Sequence, residues 1–142
     1  MASKLQAVIG LADKLTSDLT AHRGAWRQFL QTAARVYKYS FADQLLIFGQ
    51  RPDATACAEM TLWNDRMGRW VNRGAHGIAL IDTRGRRPRL RYVFDVSDTH
   101  PSRERLGRPL RLWTIRPEQQ EAVSAKLEQM YPDAGITGMG FE

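Results

Sequence analysis

The spacing of the apolar residues changes at Gly68, and this change most limits what the chain can fold into. Before Gly68, apolar residues recur every three or four positions, which is the period of an amphipathic helix. After it, they alternate with polar residues, which is the period of a half-buried strand. We therefore expect an α+β fold, with N-terminal helices packed on a small antiparallel sheet and a C-terminal helix.

Capping and breaking residues mark where these elements begin and end. Ser3 and Ser40 are the expected N-caps of the first and third helices, and Gly49 followed by Pro52 is expected to end the third. The third helix is apolar over more than half of its circumference, so we expect it to be the most buried. The predicted helices span 3–21, 24–37, 40–49, 58–67 and 117–131. The predicted strands span 69–71, 78–81 and 89–95, which form one meander, and 110–115 after a long loop at 97–109.

Length and cysteine usage limit the class of protein. Among 142 residues Cys57 is the single cysteine, which excludes an internal disulfide and a multi-cysteine zinc site and favours the cytoplasm. No apolar run approaches the ~20 residues of a membrane-spanning helix, and residues 1–10 lack a signal-peptide pattern. We expect one domain over 1–132, followed at 133–142 by a linker or the start of a further region.

Positive charge is concentrated in the middle of the chain. The net charge is +6, and residues 66–116 hold thirteen arginines against four acidic residues. The segments before and after are near neutral and acidic. A basic middle predicts a surface for a polyanion. An ordinary solvated face in an arginine-rich sequence is the alternative.

Sequence motifs for catalysis are absent. The chain has no HExxH, no Walker A loop, no GxGxxG and no GxSxG. Asp95, Asp98 and His100 are candidates for a metal-dependent nuclease, although a polar loop after a strand explains them more simply. Cys57 is expected to be a small buried hydrophobe rather than a nucleophile. We therefore predict no enzymatic activity, no cofactor and no metal.

Arginine alternates with aromatic residues and glycine between positions 63 and 77, as in surfaces that bind single-stranded nucleic acid. Arg89 and Arg91 share one face of their predicted strand, which predicts a basic surface there. Tyr39 and Trp70 are expected to stack on bases, with packing in the core as the alternative for Trp70 and for Trp63. The predicted DNA-binding residues are Lys38, Tyr39, Arg51, Arg69, Trp70, Arg73, Arg84, Arg86, Arg87, Arg89 and Arg91.

An ordered series of short segments resembles the N-terminal domain of ArdC-type antirestriction proteins and related conjugative-plasmid primases. The segments are WRQFL (26–30), YSFADQLLI (39–47), QRPDAT (50–55), Trp63 and GRWVNRGAHGI (68–78). The resemblance covers about residues 25–95. It implies binding of single-stranded DNA without strong sequence preference, in conjugation or other transfer of mobile elements. It also implies a larger mobile-element protein of which this chain is the N-terminal part.

The chain departs from that family pattern at two positions. Asp43 stands where the family usually has asparagine, and Ala75-His76 replaces the usual acid–lysine pair between two loop glycines. The zinc-peptidase motif that follows this domain in ArdC-type proteins is missing, so we expect a fragment or a stand-alone version.

These observations predict a non-catalytic module that binds single-stranded DNA. A protein-binding inhibitor of a host defence nuclease is the main alternative. An exposed apolar patch in place of a basic groove would favour it. A nuclease that uses Asp95, Asp98 or His100 is a third hypothesis.

Overall fold

The computed structural model describes residues 3–102 and 114–132. The chain forms two compact units, Met1–Leu110 and Arg111–Glu142, and each is described by itself. The predicted strand at 110–115 falls mainly on residues 103–113, which lie outside the described residues, as do 133–142.

Three helices open the first unit: α1 (Lys4–Ala21), α2 (Arg23–Arg35) and α3 (Phe41–Gln50). The hydroxyls of Ser3 and Ser40 cap α1 and α3 as predicted, because each accepts a hydrogen bond from the backbone N–H three residues later. Helix α3 lies against α1, α2 and the sheet, and it buries three consecutive residues, Leu45, Leu46 and Ile47. The prediction that the third helix is the most buried is therefore confirmed.

The end of α3 differs from the prediction. The helix continues past Gly49 to Gln50. A Cβ atom at Gly49 would lie 2.3 Å from Cδ1 of Leu15 in α1. The glycine is thus needed for the close approach of two helices and does not act as a stop signal.

The strands form two antiparallel sheets. In the larger sheet, β1 (Cys57–Ala58), β3 (Ile78–Asp82) and β4 (Arg89–Asp95) have the order β1–β4–β3. The short helix α4 (Met60–Asp65) follows β1. In the smaller sheet, β2 (Arg69–Val71) pairs with β5 (Thr99–Pro101).

The predicted meander is therefore wrong for its first strand. A single 3₁₀ turn at Val96–Asp98 follows β4 and is capped by the Asp95 carboxylate, and β5 begins directly after it. The segment that was predicted to start a long loop is instead the partner of β2. The pairing of β2 with β5 joins residues some 30 positions apart, and the spacing of apolar residues within a segment carries no information about such a partner.

The core lies between the helices and the larger sheet. One cluster joins α1 and α3 to β3 and β4 through Val8, Leu46, Ile47, Leu80 and Val93. A second cluster of buried residues, which includes Phe29, lies among the three helices. Trp63 of α4 is buried, and its indole Nε1–H donates to the carbonyl of Phe94 at 2.9 Å. The α+β prediction is confirmed, and Trp63 is a core residue.

In the second unit, helix α5 spans Pro117–Met130, with Pro117 in the first turn and Glu118 at the positive end. The predicted C-terminal helix is therefore confirmed.

Candidate nucleic-acid interface

The two-stranded ribbon of β2 and β5 presents an aromatic surface. Trp70 faces His100 across the ribbon, and cross-strand partners project to the same side. Trp70 is 50% exposed, and His100 is exposed as well. Asn72, two residues beyond Trp70, has its Oδ1 2.6 Å from Nδ1 of His100. We call this surface, made of Trp70, Asn72 and His100, the ribbon face.

The contact between Asn72 and His100 defines the hydrogen bonds that the ribbon face can offer. An amide oxygen only accepts, so Nδ1 of His100 donates, and Nε2 has no partner in residues 3–102. The side-chain NH₂ group of Asn72 also has no acceptor within residues 3–102, so its two N–H donors are available to a ligand. Sequence reasoning considered His100 only as a metal ligand and did not consider Asn72. No local signal identifies them, because the pairing of β2 with β5 brings them together.

The other side of the ribbon is occupied by structural contacts. Arg69 is half-buried, and its Nε and Nη2 donate to the hydroxyl and the carbonyl of Thr99 at 2.7 and 3.1 Å. The guanidinium of Arg69, which was predicted to contact a phosphate, is thus largely engaged in holding β2 to β5.

The loop between β2 and β3 borders a cavity of about 370 Å³. Gly74 has φ +83°, which favours glycine, and a Cβ atom at Gly77 would lie within 3.0–3.2 Å of Tyr92 and Phe94. Arg73 is exposed, and no described carboxylate pairs with it. The cavity is lined by Gln50, Arg51, Gly74, Ala75, His76, Gly77, Ile78 and Asp98. Two of the segments that carry the family resemblance therefore meet here.

Arg51 lies in a cluster of carboxylates, which we call the Arg51 cluster. Its guanidinium lies 3.2 Å from Asp53, 2.7 Å from Asp98 and 4.0 Å from Asp95. Burial opposes the charge of Arg51, but Asp98 and then Asp53 outweigh it and raise the pKa of Arg51. With one cation against three carboxylates, Arg51 is not a free phosphate ligand, contrary to the role predicted for it.

Asp95 is the buried organiser of this cluster. Its Oδ1 accepts from the N–H groups of Thr55 and Ala56 at 2.8 and 3.0 Å, and its Oδ2 accepts from Ser97. Burial alone would raise the pKa of Asp95, but these hydrogen bonds outweigh it and lower the pKa. Burial, with the charge of Asp95 second, raises the pKa of the Cys57 thiol to about 12. A neutral thiol fits the predicted role of Cys57 as a packed residue.

Gln50, which lines the cavity, is hydrogen-bonded to the edge of the larger sheet. Its side-chain amide donates to the carbonyl of Ala79 and accepts from the N–H of Ala79, both at 2.9 Å. Gln50 therefore pairs with the outer edge of β3 as a neighbouring strand would. Sequence reasoning missed this role, because the partner is 29 residues away.

Arg91 is held between two acidic residues. It pairs with Asp43 at 2.7 Å and with Glu59 at 3.3 Å. The register places Arg91 opposite the buried Leu80, so the face that was predicted to be basic is the core side of the sheet. Asp43, the departure from the family pattern, supplies the charge that neutralises Arg91. Arg91 is therefore not available as predicted.

The turn between β3 and β4 carries most of the exposed positive charge of the sheet. Arg84 is exposed but pairs with Asp82 at 2.9 Å, and hydrogen bonds from Arg84 lower the pKa of Asp82. Arg86, Arg87 and Arg89 are exposed, and no described carboxylate lies within ion-pair distance of them. Arg73 precedes β3 and these arginines follow it. A strand rises ~3.3 Å per residue, so the length of β3 separates Arg73 from Arg86, Arg87 and Arg89. The single basic surface that was predicted is therefore divided into two regions at opposite ends of β3.

The junction before α3 contributes less than expected. The ring of Tyr39 packs against the core, and its hydroxyl donates to the carbonyl of Cys57 at 2.8 Å. Burial is the main cause that raises the pKa of Tyr39 to about 12. Lys38 is exposed, with Nζ 6.0 Å from the centre of the Tyr37 ring. Tyr39 is therefore not a free stacking surface, whereas Lys38 is accessible.

Comparison of the chain with protein-family models, curated proteins and solved structures gave no match. Within residues 3–102 and 114–132, no helix has both the length and the apolar character needed to cross a bilayer. Over the same residues, no three histidine, cysteine, aspartate or glutamate side chains are placed to hold a metal ion. A functional assignment therefore has to be argued from the positions and contacts of the side chains.

Proposed function

We propose that the first unit binds single-stranded DNA without catalysis, through the ribbon face and Arg73. The observation that carries this proposal is the half-exposed Trp70 opposite His100, next to an arginine without a described counter-ion. Unpaired bases stack on exposed aromatic rings, and arginine binds the phosphates between them. Bases in a duplex are already stacked, so such a surface selects single strands.

Arginines at the far end of β3 supply long-range attraction in this proposal. Among the arginines that were predicted as contacts, Arg73, Arg86, Arg87 and Arg89 form no ion pair with a described carboxylate. Four neutralised phosphates on a single strand give a salt slope of about −2.8 in log K against log salt. Contacts from Arg51 and Arg91 as well would make the slope steeper, at about −4.

Fluorescence anisotropy of a labelled single strand of about 20 nucleotides, compared with a duplex at two salt concentrations, tests this proposal. Trp70→Ala should weaken binding about 5- to 150-fold, because one stacked base contributes ~1–3 kcal/mol. Arg73→Ala should reduce the salt slope by about 0.7. Arg27→Ala, which removes an exposed arginine from α2, is the matched control and should leave affinity and slope unchanged. Equal affinity for duplex, or full affinity in Trp70→Ala, would contradict the proposal.

The setting that we propose is DNA transfer by a mobile element in the cytoplasm, with a larger mobile-element protein as a further partner. The resemblance to ArdC-type domains supports the setting, and the unpaired Cys57 supports the compartment.

A protein-docking function is a second candidate, favoured by an apolar patch on α2 and α3. Trp26, Leu30 and Phe41 are 43, 48 and 55% exposed, and the rings of Trp26 and Phe41 both lie 5.5 Å from the buried Phe29. No acidic residue occurs between positions 19 and 42, so the patch fits a partner with an acidic rim. If this candidate is right, the protein inhibits a restriction endonuclease on duplex DNA. Trp26→Ala/Leu30→Ala would then lose inhibition but keep single-strand binding.

A further inference from the structure

The cavity behind the β2–β3 loop adjoins the ribbon face. The N–H of Asn72 donates to the carbonyl of Asp98 at 2.8 Å, and Asp98 lines the cavity. Arg73 lies between Asn72 and the first glycine of the loop. A strand that stacks on Trp70 and contacts Arg73 therefore passes the mouth of the cavity. Its volume of about 370 Å³ suffices for one nucleobase.

The charge of the cavity wall decides which part of the strand can enter. Arg51 and Asp98 both line the cavity and pair with each other at 2.7 Å, and Asp53 and Asp95 add two further carboxylates close to Arg51, so the cluster at this wall has one cation for three carboxylates. A phosphate would be repelled from this wall, whereas a neutral base that donates hydrogen bonds would be attracted. Arg73, which has no described carboxylate partner, is the better position for the phosphate.

Hydrogen-bonding groups at the wall narrow the choice of base. Oδ2 of Asp98 binds Arg51, and Oδ1 of Asp98 has no hydrogen-bond partner in the described part of the chain. In the loop, the N–H of Ala75 donates to Asn72, but the N–H groups of His76 and Gly77 have no acceptor within residues 3–102. The residues that line the cavity thus carry one acceptor and two donors that no described group engages. A base with an N–H beside a carbonyl, such as guanine, hypoxanthine or thymine, complements both, whereas adenine has no carbonyl.

We infer that this cavity takes one unpaired oxo-base of the bound strand, with the adjoining phosphate on Arg73. This inference rests on the proposed function, since it assumes that single-stranded DNA lies on the ribbon face. It also gives a second reason for selecting single strands, because a base engaged in Watson–Crick pairing cannot enter the cavity.

Anisotropy with an oligodeoxyadenylate of about 12 nucleotides tests the inference. One central adenine is replaced by hypoxanthine, which adds the N–H beside a carbonyl, or by 2-aminopurine, which adds no carbonyl. The hypoxanthine strand should bind about tenfold more tightly than the other two. Asp98→Asn should abolish this preference, so that the three strands bind about equally. Asp53→Asn removes another negative charge beside Arg51 without altering the cavity wall, and it should keep the preference. Circular dichroism checks that both variants are folded.

A phosphate in the cavity would give the opposite result. Asp98→Asn would then tighten the binding of all three strands equally, and inorganic phosphate would compete with them. That outcome, or equal affinity for the three strands in the wild type, overturns the inference. If these strands bind and Trp70→Ala still weakens them, the proposed function stands without it. If no strand binds at low salt, the proposed function itself fails.

Discussion

Two glycines in packed helices should respond in opposite directions to replacement by alanine. At Gly10 in α1, a Cβ atom would meet nothing within 4 Å, so Gly10→Ala should stabilise the fold by about 0.5–1 kcal/mol through helix propensity. At Gly49 in α3, the same atom would lie 2.3, 3.2 and 3.3 Å from Cδ1, Cδ2 and Cγ of Leu15. The atoms in the way are the end of the Leu15 side chain, which is partly buried and can move aside only by giving up packing contacts. Overpacking costs ~1–3 kcal/mol, and subtracting the propensity gain leaves Gly49→Ala destabilising the fold by about 0.5–2 kcal/mol.

Urea unfolding followed by circular dichroism measures both changes. A matched test combines Gly49→Ala with Leu15→Ala, which removes the three clashing atoms. The double variant should lose less stability than the sum of the single variants, because the two side chains interact directly. If Gly49→Ala unfolds at the same urea concentration as the wild type, or at a higher one, α1 and α3 are not in the close contact described here.

Three further predictions concern the residues around the cavity. Gln50→Ala should lower the free energy of unfolding by about 2–4 kcal/mol, because it leaves the buried N–H and carbonyl of Ala79 without partners, and an unchanged urea midpoint would contradict this role. The pKa of Asp95 is lowered in the folded state. The contribution of the Asp95 carboxylate to the free energy of unfolding is therefore complete above the ordinary pKa of about 3.9 and is lost as the pH falls through the lower pKa of the folded state. The free energy of unfolding should therefore fall more steeply below about pH 4 in the wild type than in Asp95→Asn, and equal slopes would exclude this explanation. The Cys57 thiol is partly buried against the core and has a pKa raised to about 12, so it should react slowly with a disulfide reagent at neutral pH in the folded protein and quickly in denaturant. Fast reaction of the folded protein would contradict this packing.

The pattern of the sequence predicted the helices and the three strands β2, β3 and β4 close to their observed positions, but it did not predict the partner of β2. Ser3 and Ser40 are capping residues whose effect is local, and the apolar stripe of α3 has the period that burial requires. The alternation within 89–95 likewise predicts a strand. It does not specify which face is buried, and the register with β3 turned the side that carries Arg91 toward the core.

The candidate site was predictable only in part. The cluster of arginines and aromatic residues pointed to the segment 69–73, which includes the exposed Trp70 and Arg73. Whether an arginine is available to a ligand depends on partners far away in the sequence, and Arg51, Arg69 and Arg91 each bind such a partner. His100 and Asn72 joined the ribbon face only because β5 pairs with β2.

The amino-acid sequence by itself determined the class of fold, the order of the helices, their caps and the excess of positive charge. These properties depend on residues within a few positions of one another and on composition. Tertiary structure alone decided which arginines remain free, where the cavity lies and which aromatic ring is exposed. Apart from local ion pairs such as that of Arg84 with Asp82, these properties depend on pairing between residues about 30 to 50 positions apart, as between Arg91 and Asp43. Contacts at that distance produce no periodic pattern in the sequence.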